Sequence, residues 1–175
     1  MQGNHIRQNK ITKQWVIYAP ARRGRPKDAE RASAEKAELP PREESCPFCP
    51  GNEHLLPSIL LEDPPAPAPW QVRVVPNKFP VASPQGDQER LSTGIYVFMG
   101  AYGHHEVVIE SALHNRQIGQ MSLDEVARVV EAYHARYRDL MEKDENMMIL
   151  IFRNHGMRAG TSLAHPHSQI IATGM

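Results

Sequence analysis

Two short segments of the chain contain residue types that can bind a metal ion or act as a nucleophile. The first is Cys46-Pro47-Phe48-Cys49, which holds the only two cysteines of the sequence. Two intervening residues let both thiolates face one ion at about 2.3 Å. A redox pair would place the first cysteine at a helix N-terminus after a strand, whereas Pro47 and Pro50 indicate a loop here. The segment therefore favours a metal knuckle over a redox pair or two buried thiols, and tetrahedral zinc would need two more ligands.

The second segment is HPHSQ, at residues 165–169. In an extended chain the side chains at i, i+2 and i+4 share one face, so His165, His167 and Gln169 are predicted to project to the same side. Pro166 fixes φ and stiffens the segment. This alternation allows one metal ligand and one nucleophile to lie side by side. The alternative interpretation is a pair of surface histidines on an edge strand.

Composition limits the classes of function. Lys+Arg and Asp+Glu both number 20, so the net charge is zero, which argues against electrostatic binding to nucleic acid or an anionic membrane. No apolar run is long enough to span a bilayer. The first ten residues, MQGNHIRQNK, lack the apolar stretch of a signal peptide, so we expect a cytoplasmic protein. Two cysteines are too few for a disulfide framework.

The elements that must position these residues are mostly strands. Strand patterns occupy 13–19, 70–77, 94–100, 105–111, 147–152 and 167–173. We predict that 94–100 and 105–111 are adjacent strands joined by the glycine-containing turn 100–103, and that 147–152 is buried. Two other segments are predicted to be loops: 27–45, rich in Ala, Glu and Lys, as a mobile loop, and the proline-rich 62–69 as an extended one.

One long helix is predicted over residues 122–143. Ser122 and Glu125 have the spacing of a capping box at its start. Apolar residues at three- and four-residue spacing predict the buried face: Leu123, Val126, Val130, Tyr133, Tyr137 and Leu140. The predicted fold class is therefore α+β, an antiparallel sheet packed by one long helix.

Taken together, the motifs resemble those of the galactose-1-phosphate uridylyltransferases, the transferase branch of the histidine-triad superfamily. In chain order they are APARRGRP (19–26), CPFCPGNE (46–53), VPNKFP (75–80), HEVVIES (105–111) with a histidine three residues later, and FRNHGMRAGTSLAHPHSQ (152–169). The resemblance implies a single histidine-triad-like N-terminal domain over residues 1–175. The family's C-terminal half is absent, so we expect a partner chain, a truncated gene product or reduced activity.

The resemblance also implies residue roles. Cys46, Cys49, His114 and His165 would bind a structural zinc ion, because four protein ligands close the site to water. His167 would be the nucleophile that accepts a uridylyl group from UDP-glucose and passes it to galactose 1-phosphate. Histidine-triad hydrolases usually carry a third histidine where this chain has Gln169. A glutamine does not titrate, which fits transfer to an ionised sugar phosphate better than hydrolysis.

Substrate contacts are implied in three further segments. Glycine lets a backbone approach phosphate closely, and hydroxyl groups and arginine forks hold phosphate oxygens. The candidate residues are Asn77, the loop residues Asn154, Gly160, Thr161 and Ser162, and the arginines Arg22 and Arg25, which in the resembling enzymes act across a dimer interface. A homodimer is therefore expected. A simple turn, a glycine turn and a solvated basic loop are the respective alternatives.

Two other functions remain open on the sequence. One is an ADP-sugar or dinucleotide phosphorylase or adenylyltransferase of the same fold, since the signature does not separate uridine from adenine. The other is a non-catalytic, zinc-bound half-domain that binds nucleotides.

Overall fold

The computed structural model describes residues 3–24, 39–143, 148–156, 159, 161 and 163–174. These residues form two antiparallel sheets and one long helix, which confirms the predicted α+β class. Most of the predicted loop 27–45 lies outside the described residues, which resume at residue 39. Among the described residues, no helix has the length and apolar character needed to cross a membrane.

The strands divide into a five-stranded and a four-stranded sheet. They are β1 His5–Gln8, β2 Trp15–Tyr18, β3 Leu61–Asp63, β4 Val72–Pro76, β5 Arg90–Thr93, β6 Tyr96–Gly100, β7 Gly103–Ile109, β8 Met148–Phe152 and β9 His167–Thr173. The five-stranded sheet has the order β3-β4-β7-β9-β8, and the four-stranded sheet has the order β2-β1-β6-β5. The division into two sheets was not predicted from the sequence.

Strands β7 and β9 form the centre of the larger sheet, and their register decides which side chains share a face. Val107 pairs with Gln169 and Ile109 pairs with His167, so these four side chains lie on one face. We call this the site face. It packs against a cluster that contains Cys46, Phe48, Cys49, Trp70 and Val75.

The opposite face, which we call the helix face, packs against the helix α1, Leu123–Met141. Its core consists of Val72, Val74, Val108, Ile170 and Ala172 from the sheet with Val129, Ala132 and Leu140 from the helix. The helix begins at Ser122, whose side chain accepts from the Glu125 backbone N–H while the Glu125 carboxylate accepts from the Ser122 backbone N–H. The predicted capping box is therefore confirmed.

The predicted apolar face of α1 is partly wrong. Its buried residues are Val129, Ala132, Arg136 and Leu140, whereas Leu123 is 89 % and Val130 is 55 % exposed. The physical reason is the buried Arg136, whose guanidinium forms an ion pair with Glu106 on β7. A pattern of apolar residues cannot detect a buried face that includes a charged pair.

Two strand predictions also need correction. Strands β6 and β7 do not form a hairpin, because β6 pairs with β1 and β5 whereas β7 pairs with β4 and β9. The connection between them passes from one sheet to the other, and Gly103 there packs so closely that a Cβ would lie 2.1 Å from the Ala172 carbonyl oxygen. Strand β8 is not buried. It is an edge strand with one neighbour, and its Leu150 is 49 % exposed.

Candidate active site

Four buried side chains from three distant parts of the chain meet at the site face. Their ligand atoms all lie within 4.8 Å of one another; the residues are Cys46, Cys49, His114 and His165. Cys49 Sγ lies 3.5 Å from His114 Nδ1 and 3.6 Å from His165 Nδ1, and Cys46 Sγ lies 3.7 Å from the latter. Two sulfurs and two nitrogens around a tetrahedral zinc ion would be separated by about 3.3–3.8 Å. The structure thus brings together all four predicted ligands at a spacing that suits one metal ion.

The loop that carries the cysteines is held by its own backbone. Cys49 N–H donates to the Cys46 carbonyl at 3.2 Å, which turns both side chains to one side. The Asn52 side-chain amide donates to the Glu44 carbonyl at 2.9 Å and to the Cys46 carbonyl at 2.8 Å. Because this buried amide ties both ends of the turn, the two sulfurs are positioned before any ion binds.

The tautomer of His165 is fixed by a backbone carbonyl. Its Nε2 donates to the Ser111 carbonyl at 2.8 Å, so Nδ1 carries the lone pair and faces the sulfurs. Burial lowers the pKa of His165 to about 4, with the neighbouring His114 adding to the effect, so the ring is neutral near pH 7. Burial also raises the pKa of the Cys46 thiol to about 12, so a metal ion must displace that proton on binding.

His167 lies directly beside this cluster, on the first residue of β9. Its Nδ1 donates to the His165 carbonyl at 2.8 Å, which places the lone pair on Nε2. The Phe48 ring packs edge-on against both histidines, with its centroid 5.4 Å from that of His167 and 5.9 Å from that of His165. The backbone between the predicted ligand and the predicted nucleophile therefore orients the nucleophile directly.

Gln169 lies two residues further along β9, on the same face as His167. Its Oε1 lies 2.9 Å from His105 Nε2 on β7. Asn77 lies next to the same ring nitrogen, with its Nδ2 at 3.1 Å, and its Oδ1 accepts from the Phe79 backbone N–H at 2.8 Å. The predicted residues Gln169 and Asn77 thus meet at His105, for which the sequence suggested no role.

The other predicted substrate contacts are placed only in part. Thr161 has a buried hydroxyl oxygen with no hydrogen-bond partner in the described part of the chain, and Asn154 is half-buried. Arg22 Nη1 donates to the Phe79 carbonyl at 2.7 Å, beside Asn77. The predicted contacts Arg25, Gly160 and Ser162 lie outside the described residues.

A polar network on the helix face contacts β9 on the side opposite His167. The fully buried Glu110 carboxylate accepts from the Ser168 hydroxyl and from Arg153 Nε at 2.9 Å. Tyr133 OH lies 2.5 Å from Ser168 Oγ. Arg153 directly precedes the loop with Asn154 and Thr161, so this network joins the loop to β9.

Sequence reasoning missed His105, Glu110 and Arg153. The sequence did contain a signal for His105, because this residue alternates with Glu106 along a strand that pairs with the strand beginning in HPHSQ. That signal is usable only when the register of β7 against β9 is known, because a shift of one residue turns every side chain to the opposite face.

The fold and the site together define an α+β domain that carries a buried Cys₂His₂ centre and, next to it, a strand histidine with its lone pair on Nε2. Among known families, the model described as "Galactose-1-phosphate uridyl transferase, N-terminal domain" matches residues 1–175. The chain belongs to this family.

Individual relatives divide between two activities. The chain is 32 % identical over 173 residues to an ADP-glucose phosphorylase from Arabidopsis thaliana, covering 98 % of this chain and 49 % of that protein. It is 31 % identical over 171 residues to a galactose-1-phosphate uridylyltransferase from Thermotoga maritima, covering 95 % and 46 %. The chain therefore spans about half the length of the curated relatives it matches.

Solved structures show the same division. A uridylyltransferase superposes with a TM-score of 0.70 at 26 % identity, over 98 % of this chain and 46 % of that one. An ADP-glucose phosphorylase from Arabidopsis thaliana with bound ADP-glucose superposes with a TM-score of 0.66 at 30 % identity, over 99 % and 50 %.

Proposed function

We propose that this chain carries the nucleophile of a nucleotidyltransferase, and that it moves UMP from UDP-glucose to galactose 1-phosphate through a covalent uridylyl group on His167. The observation that carries the proposal is the hydrogen bond from His167 Nδ1 to the His165 carbonyl. It leaves the lone pair on Nε2, on the ring that packs against Phe48 beside the Cys₂His₂ cluster. A neutral imidazole in this tautomer is the form that attacks phosphorus.

The first transfer step balances without a protein acid. The Nε2 lone pair forms a bond to the α-phosphorus, and the bond from that phosphorus to the bridging oxygen breaks. The electron pair leaves with the sugar phosphate, which needs no proton because a phosphate is a stable anion near neutral pH. The uridylylated ring is cationic, and its Nδ1–H donates to the His165 carbonyl more strongly than before. In the second step galactose 1-phosphate attacks the same phosphorus, and the lone pair returns to Nε2.

Two polar groups suit a nucleotide phosphate without supplying charge. Gln169 offers an amide on the face that carries His167, and the buried Thr161 hydroxyl offers a donor with no protein partner among the described residues. A buried hydroxyl without a partner costs free energy, which a phosphate oxygen would recover. Since no group here has to move a proton, the arrangement favours transfer between phosphates over hydrolysis.

A zinc ion fits the cluster of Cys46, Cys49, His114 and His165, because two sulfurs and two nitrogens are its preferred donors. With four protein ligands the ion would be structural, and it would tie the cysteine loop to His165 and thereby to the backbone that orients His167. The Ser111 carbonyl would act as the outer partner of His165, as such carbonyls do at many zinc sites.

A second candidate is transfer of AMP from ADP-glucose, as a phosphorylase with inorganic phosphate as the acceptor. The observations that favour it are the ADP-glucose phosphorylase at 32 % identity and the related structure with bound ADP-glucose. Both candidates use the same covalent step at His167, and they differ in the base and in the acceptor.

The decisive experiment is intact-protein and peptide mass spectrometry after incubation with UDP-glucose and, separately, with ADP-glucose. We expect a gain of one uridylyl group on His167 with the first donor. A gain of one adenylyl group with the second donor alone would favour the phosphorylase. Tight nucleotide binding with no adduct from either donor would contradict the proposal and favour a non-catalytic, nucleotide-binding domain.

The test variant is His167→Ala, and His104→Ala is its matched control. His104 lies on β7 with its side chain on the helix face, so its removal changes a histidine without touching the site. The adduct should disappear in His167→Ala and remain in His104→Ala. An adduct that persists in His167→Ala would assign the nucleophile to another residue.

A further inference from the structure

One buried histidine outside the metal cluster joins three parts of the site. His105 on β7 is 4 % exposed. It pairs with Ile171 on β9, which places its side chain diagonally opposite Gln169 on the site face. Its two ring nitrogens contact groups from the segment 77–81 and from β9.

The donor and acceptor roles around this ring can be assigned from one contact. The Val81 backbone N–H points at His105 Nδ1 over 3.0 Å, and a backbone N–H can only donate. Nδ1 must therefore be the acceptor, and in the neutral ring the proton lies on Nε2. The acceptor for this proton is Gln169 Oε1, at 2.9 Å. Asn77 Nδ2 is also a donor and lies 3.1 Å from Nε2, so this longer contact opposes the assignment, whereas the two shorter contacts, to Val81 N–H and to Gln169 Oε1, support it.

This assignment also fixes the side-chain amide of Gln169. A glutamine amide can rotate by half a turn and exchange its oxygen and nitrogen, with little difference in shape. Rotation here would bring the Gln169 NH₂ group against the Nε2–H of His105, two donors face to face. The ring therefore holds Oε1 and leaves the NH₂ group as the end of Gln169 that can serve a ligand.

We propose that His105 is a positioning residue, which orients the Gln169 amide so that its N–H groups donate to the α-phosphate of the bound nucleotide. This inference rests on the proposed transfer at His167. Negative charge on the non-bridging phosphate oxygens grows as Nε2 attacks the phosphorus, so a donor held in place stabilises the transition state more than a donor that rotates. His105 itself does not touch the substrate and moves no proton.

His105 also holds the segment 77–81 against β7. Asn77 N–H donates to the His105 carbonyl at 2.8 Å, and Val81 N–H donates to its ring. If His105 only held this segment in place, these two bonds would be sufficient. The bond from Nε2 to Gln169 is not needed for that purpose, so the experiment must separate the effect of Nε2 from that of Nδ1.

Two substitutions make this separation. The side-chain oxygen of asparagine takes the place of Nδ1, so His105→Asn keeps an acceptor for Val81 N–H and loses the donor to Gln169. The longer glutamine places its NH₂ group near the position of Nε2, so His105→Gln keeps that donor. Single-turnover adduct formation on His167 should slow roughly 10- to 100-fold in His105→Asn, because a misplaced group costs about this much. Nucleotide affinity should change less than about threefold, and His105→Gln should recover most of the rate.

A double-mutant cycle tests whether the effect passes through Gln169. In a Gln169→Ala background no amide remains to be oriented, so adding His105→Asn should change the rate less than about twofold. If His105→Asn slows Gln169→Ala by the same factor as it slows the unsubstituted chain, the positioning role is refuted. His104→Asn, the same substitution one residue away on the helix face, is the matched control and should leave the rate unchanged.

The tautomer can be measured without any variant. Long-range ¹H–¹⁵N correlation spectra of the full chain should show His105 protonated on Nε2 and not on Nδ1. A proton on Nδ1 would overturn the inference even if both variants failed to fold. An adduct that forms equally fast in the unsubstituted chain and in folded His105→Asn would overturn this inference but not the proposed function. Absence of any adduct in the unsubstituted chain would overturn the proposed function and this inference with it.

Discussion

Along strands β7 and β9, the two faces of the five-stranded sheet carry different kinds of polar group, although these residues alternate along the same two strands. On the site face, His105, His167 and Gln169 make hydrogen bonds to amides and backbone groups. On the helix face, the buried carboxylates of Glu106 and Glu110 form ion pairs with arginines. On these two strands the site face thus offers neutral donors and acceptors, whereas the helix face keeps its charges paired.

This difference separates two requirements of a transfer site. A neutral nucleophile has to keep its lone pair, which a carboxylate or guanidinium at the same place would disturb by shifting the pKa of the ring. The ion pairs that anchor β7 to α1 and Glu110 to Arg153 accordingly lie on the side of the sheet opposite His167. Substitutions of neighbouring residues on one strand should consequently affect either adduct formation on His167 or the free energy of unfolding, but not both.

The largest expected effect is the loss of the metal cluster. His114→Ala removes one of four ligands, and structural zinc contributes roughly 10–16 kcal/mol in zinc-finger peptides, so the free energy of unfolding should fall by about 5 kcal/mol or more. Elemental analysis should give about one zinc per chain before the substitution and much less after it. Thermal unfolding with and without a chelator measures the stability.

The matched control for this prediction is His54→Ala, which removes an exposed histidine close to the cysteine loop. It should retain the metal and unfold at the unchanged temperature. A His114→Ala variant that keeps its zinc would show that His114 is not a required ligand, and one that loses its zinc but keeps its melting temperature would show that the site face does not depend on metal for its stability.

The second effect concerns the charged pair between the strand and the helix. Glu106→Ala leaves the guanidinium of Arg136 buried, next to the Asp139 carboxylate at the helix surface. Breaking a buried pair costs about 3–5 kcal/mol, because one charge loses its partner. Urea titration should show this loss, while zinc content stays unchanged.

The double variant Glu106→Leu with Arg136→Met removes both charges and should be close to the unsubstituted chain in stability. If the double variant is as unstable as Glu106→Ala, the pair acts through packing and not through charge. If Glu106→Ala loses the zinc, the two faces are not separable.

Short spacings made the cysteine pair and the histidine pair of the site predictable, whereas His114 was predicted only from the family resemblance. Two residues between the cysteines and one between the histidines determine which side chains point together, whatever the fold around them. The helix boundary was predictable for the same reason, since a capping box involves four consecutive residues.

Features that depend on distant pairing were not predictable. Arg136 is buried against the sheet with its charge paired because Glu106, 30 residues earlier, faces it from β7. Strands β6 and β7 are close in sequence but join different sheets, and no local pattern distinguishes a hairpin from such a crossing. The role of His105 likewise depends on a register between strands that begin 64 residues apart.

A smaller effect is expected at the hydroxyl network on the helix face. Tyr133→Phe removes a hydroxyl that lies 2.5 Å from Ser168 Oγ and donates to Glu110 Oε1 at 3.3 Å. Burial raises the pKa of Tyr133 to about 12, so this hydroxyl stays protonated at every working pH. Loss of a buried hydrogen bond costs about 1–2 kcal/mol, measured by urea unfolding.

Tyr137→Phe provides the control for this loss, because Tyr137 lies one turn further along α1 and is 39 % exposed. It should change the free energy of unfolding by less than about 0.5 kcal/mol. The rate of adduct formation on His167 should be the same in both variants. A slower rate in Tyr133→Phe alone would mean that the network behind β9 reaches through the strand to the site face.

The smallest effect belongs to the start of α1, which lies outside both faces. The ion pair with Arg116 and the Ser122 backbone N–H lower the pKa of Glu125 to about 2. A carboxylate with a lowered folded-state pKa stabilises the protein above its unfolded pKa of about 4.3, and this stabilisation is lost as the pH falls toward 2. Glu125→Gln should therefore cost about 0.5–1 kcal/mol at pH 7 and progressively less between pH 4 and pH 2.

Glu131→Gln, an exposed glutamate within the same helix, is the control for Glu125→Gln and should change stability by less than about 0.5 kcal/mol. The decisive quantity is the difference between the Glu125→Gln variant and the unsubstituted chain at each pH, from urea titrations. A difference that stays constant from pH 7 to pH 2 would show that the cap acts through hydrogen bonding alone. Neither variant should alter zinc content or the His167 adduct, because α1 packs on the helix face, on the opposite side of the sheet from the site face.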